Sequence, residues 1–225
     1  RMAQRLSKIE QDRALMLAGI SHDLRTPLAR LRLETELSVA DPQAREHMAA
    51  DIEQVNAIID KFLDYARPDH LQPQEVSLNQ VVDAAIFSVG QDPNTYITTN
   101  IPRDTAVMGD AVELQRVFAN LLENAMRYGR NPETGVTKID IAAKAKDDAV
   151  LVKLRDHGQG VLPEQLEQLT QPFYRGDVSR TAATGTGLGL AIVERAVARM
   201  GGRFALANSS TGGLAAHMKL VKASS

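Results

Sequence analysis

Between Gln4 and Ser38 the apolar positions fall at helical spacing. Leu17, Leu24 and Leu31 recur every seven residues, Ile20 and Leu28 widen the stripe, and Gly19 is the only glycine. That pattern predicts one long amphipathic helix. Asp41-Pro42 interrupts it, with Asp41 placed to cap and Pro42 at a first helical position. A second helix is predicted from Gln43 to Arg67. Its apolar residues Met48, Ile52, Val55, Ile59 and Phe62 step by 4, 3, 4 and 3, a heptad-like seam. Two such helices on a short turn form a hairpin, and a lone hairpin leaves each seam half covered. The expected remedy is a second copy, giving a homodimeric four-helix bundle.

Arg67-Pro68-Asp69-His70-Leu71-Gln72-Pro73 carries two prolines in a short polar stretch and reads as a linker. Beyond it the pattern turns to mixed helix and strand. Helices are predicted over Leu78 to Val89, Ala111 to Tyr128 and Leu188 to Met200, the last stopped by Gly201-Gly202. Strands are predicted over Tyr96 to Ile101, Ala106 to Met108, Lys138 to Ala145, Ala149 to Arg155, Phe204 to Ala207 and Leu214 to Leu220. Several strands are adjacent in sequence, so an α/β two-layer sandwich is expected, more antiparallel than a doubly wound fold. The domains are therefore expected at 1–67 and 77–222, with a linker at 68–76.

Composition narrows the function. With 26 basic and 28 acidic residues the net charge is −2, and aromatic residues make up 4%. Neither favours nucleic-acid binding. The chain has no cysteine, so disulfide and thiol chemistry are excluded. No apolar run approaches the roughly 20 residues that span a bilayer. Arg1 to Arg13 already reads as helix, as expected of a chain whose natural upstream part is missing; any membrane link would run through that part.

The candidate chemistry falls in two places. The first is His22, mid-helix, with Arg25 and Thr26 three and four residues on and so on its face. Pro27 lacks an N–H, frees the Asp23 carbonyl and predicts a kink beside His22. A free imidazole has a pKa of about 6.5 and is largely neutral near pH 7. Asp23 can accept a proton from one ring nitrogen and leave the other to attack. Thr26 can hold a water for hydrolysis.

The second place is three polar segments. Asn120 and Asn124 share one face of a helix, suited to Mg²⁺ ligation or simply to buried hydrogen bonding. Arg127 and Tyr128, one turn on, can reach phosphate and ribose. Asp156-His157-Gly158-Gln159-Gly160 follows a strand: its carboxylate can accept from an exocyclic amine such as adenine's, and its glycines permit close approach. Gly185-Thr186-Gly187-Leu188-Gly189-Leu190 opens a helix, where unpaired N–H groups face an anion. The polar stretch from Val161 to Thr184 suits a lid, with Phe173 as anchor and Arg175 and Arg180 toward phosphate. Together these parts can move a phosphoryl group from ATP onto the chain's own histidine. A clamp-type ATPase is the competing reading, with Glu123 as its catalytic carboxylate, and a non-catalytic scaffold is a third.

The set resembles the sensor histidine kinases of bacterial two-component systems. His22-Asp23-Leu24-Arg25-Thr26-Pro27 is similar to that family's H box, Asn120 to Asn124 to its N box, and Asp156 to Gly160 to its G1 box. Pro172-Phe173-Tyr174-Arg175 is similar to its F region and Gly185 to Leu190 to its G2 box. The likeness runs from about Gln11 to Leu220, and the wording around Ala18 to Arg30 and Gln171 to Asp177 is similar to the osmosensing EnvZ subgroup. The resemblance implies a dimerisation and phosphoacceptor hairpin, then an ATP-binding domain of the Bergerat type, shared with DNA gyrase, Hsp90 and MutL. It implies His22 as phosphoacceptor, Asp23 as its base and Thr26 as a phosphatase residue. It implies Asn124 as Mg²⁺ ligand with Asn120 nearby, and Asp156 as adenine reader with Gly158 and Gly160. Arg175, Gly176, Thr186, Gly187, Leu188, Gly189 and Leu190 are implied as lid and phosphate contacts. The implied partner is an OmpR-like response-regulator receiver domain. The implied setting is the cytoplasmic side of a bacterial inner-membrane sensor. His157 and Gln159 depart from the family's usual Asn or Asp and then Pro.

Overall fold

The computed structural model describes residues 2–66, 71–175 and 185–223, with side chains described from residue 16 onward except at residue 18. The chain divides into two units, Arg1–Asp69 and His70–Ser225.

In the first unit α1 spans Met2–Ser38 and α2 spans Pro42–Ala66. Asp41 caps α2, its Oδ1 accepting from the Gln43 N–H at 3.1 Å. The two helices are tied by ion pairs at their margins. Arg25 pairs with Asp60, and Arg32 reaches Glu53 at 2.8 Å while its Nε pairs with Glu36 on its own helix at 3.2 Å. Little is buried between the helices: Leu17, Ala49 and Ile59, with Ser21 and Thr35. The two buried hydroxyls donate to carbonyls one turn back, Leu17 at 2.9 Å and Leu31 at 2.8 Å, which satisfies them without a partner from elsewhere. Helix α1 is continuous through Pro27, which lies inside it.

In the second unit Gln74–Ser77 forms β1 and pairs antiparallel with β3 (Ala106–Gly109); the sequence reading put 74–76 of this strand in the linker and 77 in the domain. Helix α3 (Leu78–Val89) and strand β2 (Thr95–Asn100) lie between them in sequence. Next come α4 (Ala111–Tyr128), β4 (Thr137–Lys146) and β5 (Ala149–Asp156). A short 3-10 helix, Pro163–Gln168, occupies part of the expected lid. The chain closes with α5 (Gly189–Arg199), β6 (Arg203–Asn208) and β7 (Leu214–Val221).

The main sheet has the order β2-β4-β5-β7-β6, with β2 parallel to β4 and the other pairs antiparallel. Strand alternation sends Ile139, Ile141, Val150, Val152, Leu154, Met218 and Leu220 to one side, where they meet Val82, Leu114, Phe118, Leu122, Val193 and Val197 of the helices in one core. The opposite face of the sheet carries the remaining alternate positions. The sandwich expected from sequence is therefore present, with α3, α4 and the helix Gly189–Arg199 packed on one face.

Candidate functional site

Helix α4 is positioned firmly. Asp110 caps it, Oδ1 accepting from the N–H groups of Val112 at 3.0 Å and Glu113 at 3.2 Å. Glu113 pairs with Arg116 at 3.1 Å, both nearly buried. This fixes the polar edge of the helix. Asn120 is buried and its Nδ2 donates to the Arg116 carbonyl at 2.9 Å. Its Oδ1 lies 3.5 Å from the point where a side chain on Gly189 would begin. The side chain of Asn124, one turn on and half-buried, makes no hydrogen bond among the described residues. A half-buried carboxamide with no internal partner is chemically suited to donate an oxygen to a ligand.

Asp156 ends β5 and is 6% exposed. Its Oδ1 accepts from the N–H of Gly158 at 2.9 Å and of Leu214 at 3.2 Å. Burial raises its pKa above the ordinary carboxylate value, and those two N–H groups, with His157 and Arg155, pull it back down. Backbone crowds the carboxylate from three sides. A Cβ on Gly213 (φ +86°) would overlap the Asp156 carbonyl oxygen. One on Gly158 would sit 2.8 Å from the Gly129 Cα, and one on Gly129 would lie 2.8 Å from the Asp156 carboxyl carbon. Only hydrogen at these three positions lets the segments meet. Sequence reasoning found Gly158 but missed Gly129 and Gly213. The stop after α4 and the Gly212-Gly213 pair in the β6–β7 turn were their only local signals.

Two side chains brace the turn after Asp156. His157 Nε2 lies 2.6 Å from Asp140 Oδ2 on the neighbouring strand. Asn208 accepts from the Val161 N–H at 3.0 Å and donates to the Val161 carbonyl at 2.6 Å, a side-chain imitation of a strand pair. The departure at His157 thus has its own brace within this chain.

The glycine segment sits beside α4. A Cβ on Gly185 would overlap the Tyr128 hydroxyl and lie 3.6 Å from Arg127 Nη1. Gly187 (φ +68°) abuts the backbone of Phe173 and Tyr174, within 2.8 Å of where a Cβ would stand. The Phe173 N–H donates to the Gly187 carbonyl at 2.9 Å, and Phe173 itself has φ +65°. The structure therefore gathers Asn120, Arg127, Tyr128, Phe173 and residues 185–189 along one edge of α4, with half-buried Arg175 two residues past Phe173. Thr186 Oγ1 accepts the Leu188 N–H at 3.3 Å. Leu188 and Leu190 are buried, so their side chains serve the core and only backbone there can meet a ligand. Gly176 and Arg180 lie outside the described residues.

In the first unit His22 and Asp23 are 84% and 85% exposed, with His22 Nδ1 3.5 Å from Asp23 Oδ1. The Thr26 hydroxyl donates to the His22 carbonyl at 3.4 Å. Arg25, expected on the His22 face, turns to Asp60 of α2. Among the described residues no group of three His, Cys, Asp or Glu side chains could hold a metal alone. No helix there is long and apolar enough to cross a membrane.

The family model of the His Kinase A (phospho-acceptor) domain matches residues 12–71. That of the histidine kinase-, DNA gyrase B-, and HSP90-like ATPase matches residues 109–224. The chain belongs to the sensor histidine kinases and comprises the two domains of their catalytic core. Sensor protein PfeS of Pseudomonas aeruginosa is 34% identical over 219 residues, covering 94% of this chain and 48% of that protein. Sensor histidine kinase CpxA of Escherichia coli K12 is 31% identical over 224 residues, covering 95% and 48%. The osmosensor-subgroup likeness is consistent with the CpxA match. Among solved structures, full-length ShkA in complex with AMPPNP superposes with a TM-score of 0.73 at 21% identity, covering 93% of this chain and 46% of that one. Histidine kinase AdeS of Acinetobacter baumannii gives 0.62 at 20%, covering 90% and 98%. These two likenesses show the fold. The chain spans about half the length of the curated relatives it matches.

Proposed function

We propose that this chain is the ATP-dependent protein-histidine kinase core of a two-component sensor, phosphorylating itself on His22. The observation that carries the reading is the His22 ring, exposed on a helix with a carboxylate facing Nδ1. That orientation leaves Nε2 as the nucleophile. Nε2 attacks the γ-phosphorus of ATP in line, the new N–P bond forms as the bond to the β,γ-bridging oxygen breaks, and ADP departs. Asp23 stabilises the imidazolium character that develops and accepts the Nδ1 proton.

In the second unit Asp156 reads the adenine amine with the oxygen not committed to Gly158 and Leu214. Gly158 and Gly160 let the base approach. Arg127 and Tyr128 contact phosphate and ribose, while Arg175, Gly176 and the backbone of Thr186 to Leu190 enclose the phosphates. Asn124, supported by Asn120, offers the oxygen that suits Mg²⁺, an ion that takes one or two protein ligands beside phosphate and water. When bound, it neutralises charge on the phosphates.

The phosphoryl group passes from His22 to an aspartate of a response-regulator receiver domain, OmpR-like in type. Thr26 orients water when the reaction runs as a phosphatase. The exposed Met16, Ile20, Leu24 and Leu31 of α1 and Met48 and Val55 of α2 support a homodimeric bundle. The division 1–67, 68–76 and 77–222 places the change of task in the linker. The setting is the cytoplasmic side of an inner-membrane sensor.

Incubation with γ-labelled ATP and Mg²⁺ tests this. The expected product is acid-labile phosphoprotein that is absent in His22→Gln. Label that persists in that variant overturns the site, and free phosphate with no phosphoprotein would favour the clamp-type ATPase.

A further inference from the structure

The face of the five-stranded sheet turned away from the helices has no role in the chemistry above. Strand register arranges it in rows. Lys144, Leu151, Lys219 and Arg203 stand side by side across β4, β5, β7 and β6. The neighbouring row on the same face runs Asn100, Ala142, Lys153, His217, Ala205. These residues line a trough of about 710 Å³.

Four permanent cations and one histidine thus surround Leu151, Ala142 and Ala205. Among the described residues no carboxylate forms an ion pair with any of the five. Lys219 and Arg203 are directly opposed, and like charges so placed destabilise a sheet; Lys153 stands opposite His217. In a chain of net charge −2 this concentration of one sign is not a by-product of composition. Partial desolvation in the trough, and then the Lys153 ammonium, lower the His217 pKa below its ordinary value. The groups facing that ring are all cationic: Lys153 opposite, Arg155 and Arg203 on the diagonals, Lys219 along its own strand.

We propose that this open sheet face is a docking surface for an acidic, amphipathic segment of a partner protein, its carboxylates meeting the lysine and arginine rim and one aliphatic side chain resting on Leu151. Charge complementarity selects an anion, and the apolar floor selects a ligand with a hydrophobic side chain between its charges. A concave trough with its apolar groups at the bottom suits a segment that inserts. A bilayer surface is better met by protruding groups. The two rows contain no ring but imidazole on which a nucleic-acid base could stack.

The test uses the whole chain and a fluorescein-labelled helical peptide repeating Glu-Glu-Leu-Glu. Saturable binding is expected, weakened about tenfold or more in Lys153→Glu/Lys219→Glu and by changing the peptide leucines to serine. Bound peptide should also raise the His217 pKa, read by NMR titration of its ring. Autophosphorylation by the double variant should be unchanged, which separates this proposal from the kinase reading. Equal binding by the charge-reversed variant, equal binding of the serine peptide, or an unmoved His217 would overturn it. So would capture of phosphatidylglycerol vesicles in preference to the peptide.

Discussion

The hairpin and the sheet unit dispose of their apolar residues in opposite ways. In the sheet unit Phe118, Leu122, Ile139 and Val193 are sealed at 0% exposure. In the hairpin Leu33 and Leu37 stand 58% and 76% exposed, and Leu24 and Leu31, two of the three leucines that recur every seven residues, are 46% and 50% exposed. One unit closes a core from its own strands and helices. The other presents a seam, buries little between its two helices and adds ion pairs at the edges that contribute little individually. Self-sufficiency suits a unit that must present a preformed pocket. Incompleteness suits one whose assembly is part of its work.

Substitutions sharpen that contrast. Phe118→Ala should have the largest effect, destabilising the sheet unit by about 3–5 kcal/mol because it leaves a cavity in a sealed core. Denaturant titration should show the loss independent of protein concentration. Leu31→Ala, at a half-exposed position, would cost under about 0.5 kcal/mol in a monomer. In a dimer the expected loss is about 1–2 kcal/mol, with a thermal midpoint that rises with protein concentration. A concentration-independent midpoint for the hairpin would erase the contrast. Cap removal comes next: Asp110→Ala and Asp41→Ala should each cost about 1 kcal/mol, α4 in the sheet unit and α2 in the hairpin.

The smallest effect carries a sign. The folded pKa of Asp156 is raised, so folding favours its protonated form. Its contribution is therefore full below the unfolded value of 3.8 and lost as pH rises through the folded pKa. Asp156→Asn should leave the nucleotide-free protein as stable as the parent or more so at neutral pH. That advantage should shrink on acidification toward 3.8, while nucleotide affinity falls steeply. A variant less stable than its parent at neutral pH would contradict this account.

Much of the fold was legible where local chemistry and tertiary structure agree. Helices α3 and α4 fall within the bounds expected, Leu78–Val89 and Ala111–Tyr128, because Ser77 and Asp110 precede them and Gly90 and Gly129 end them. Strand β1 was hidden because its pairing with β3 closes across α3 and β2, and nothing in Gln74–Ser77 announces a partner so far along the chain. The 3-10 helix at Pro163–Gln168 was read as lid because a short polar turn has no period of its own. The candidate site divides the same way. Asp156, Gly158 and Gly187 stand inside motifs. Gly129, Gly213, Asn208 and Asp140 reach the same place from other elements, and no spacing in the sequence connects them. Leu188 and Leu190 were legible as motif but not as core.

The Leu214 N–H reaches Asp156 across 58 residues of sequence and sits at the start of the last strand. Whatever occupies the carboxylate's free oxygen also loads that distant amide. The start of β7 is thereby stitched to the proposed nucleotide site, and slowed deuterium uptake at Leu214 should report occupancy of that site.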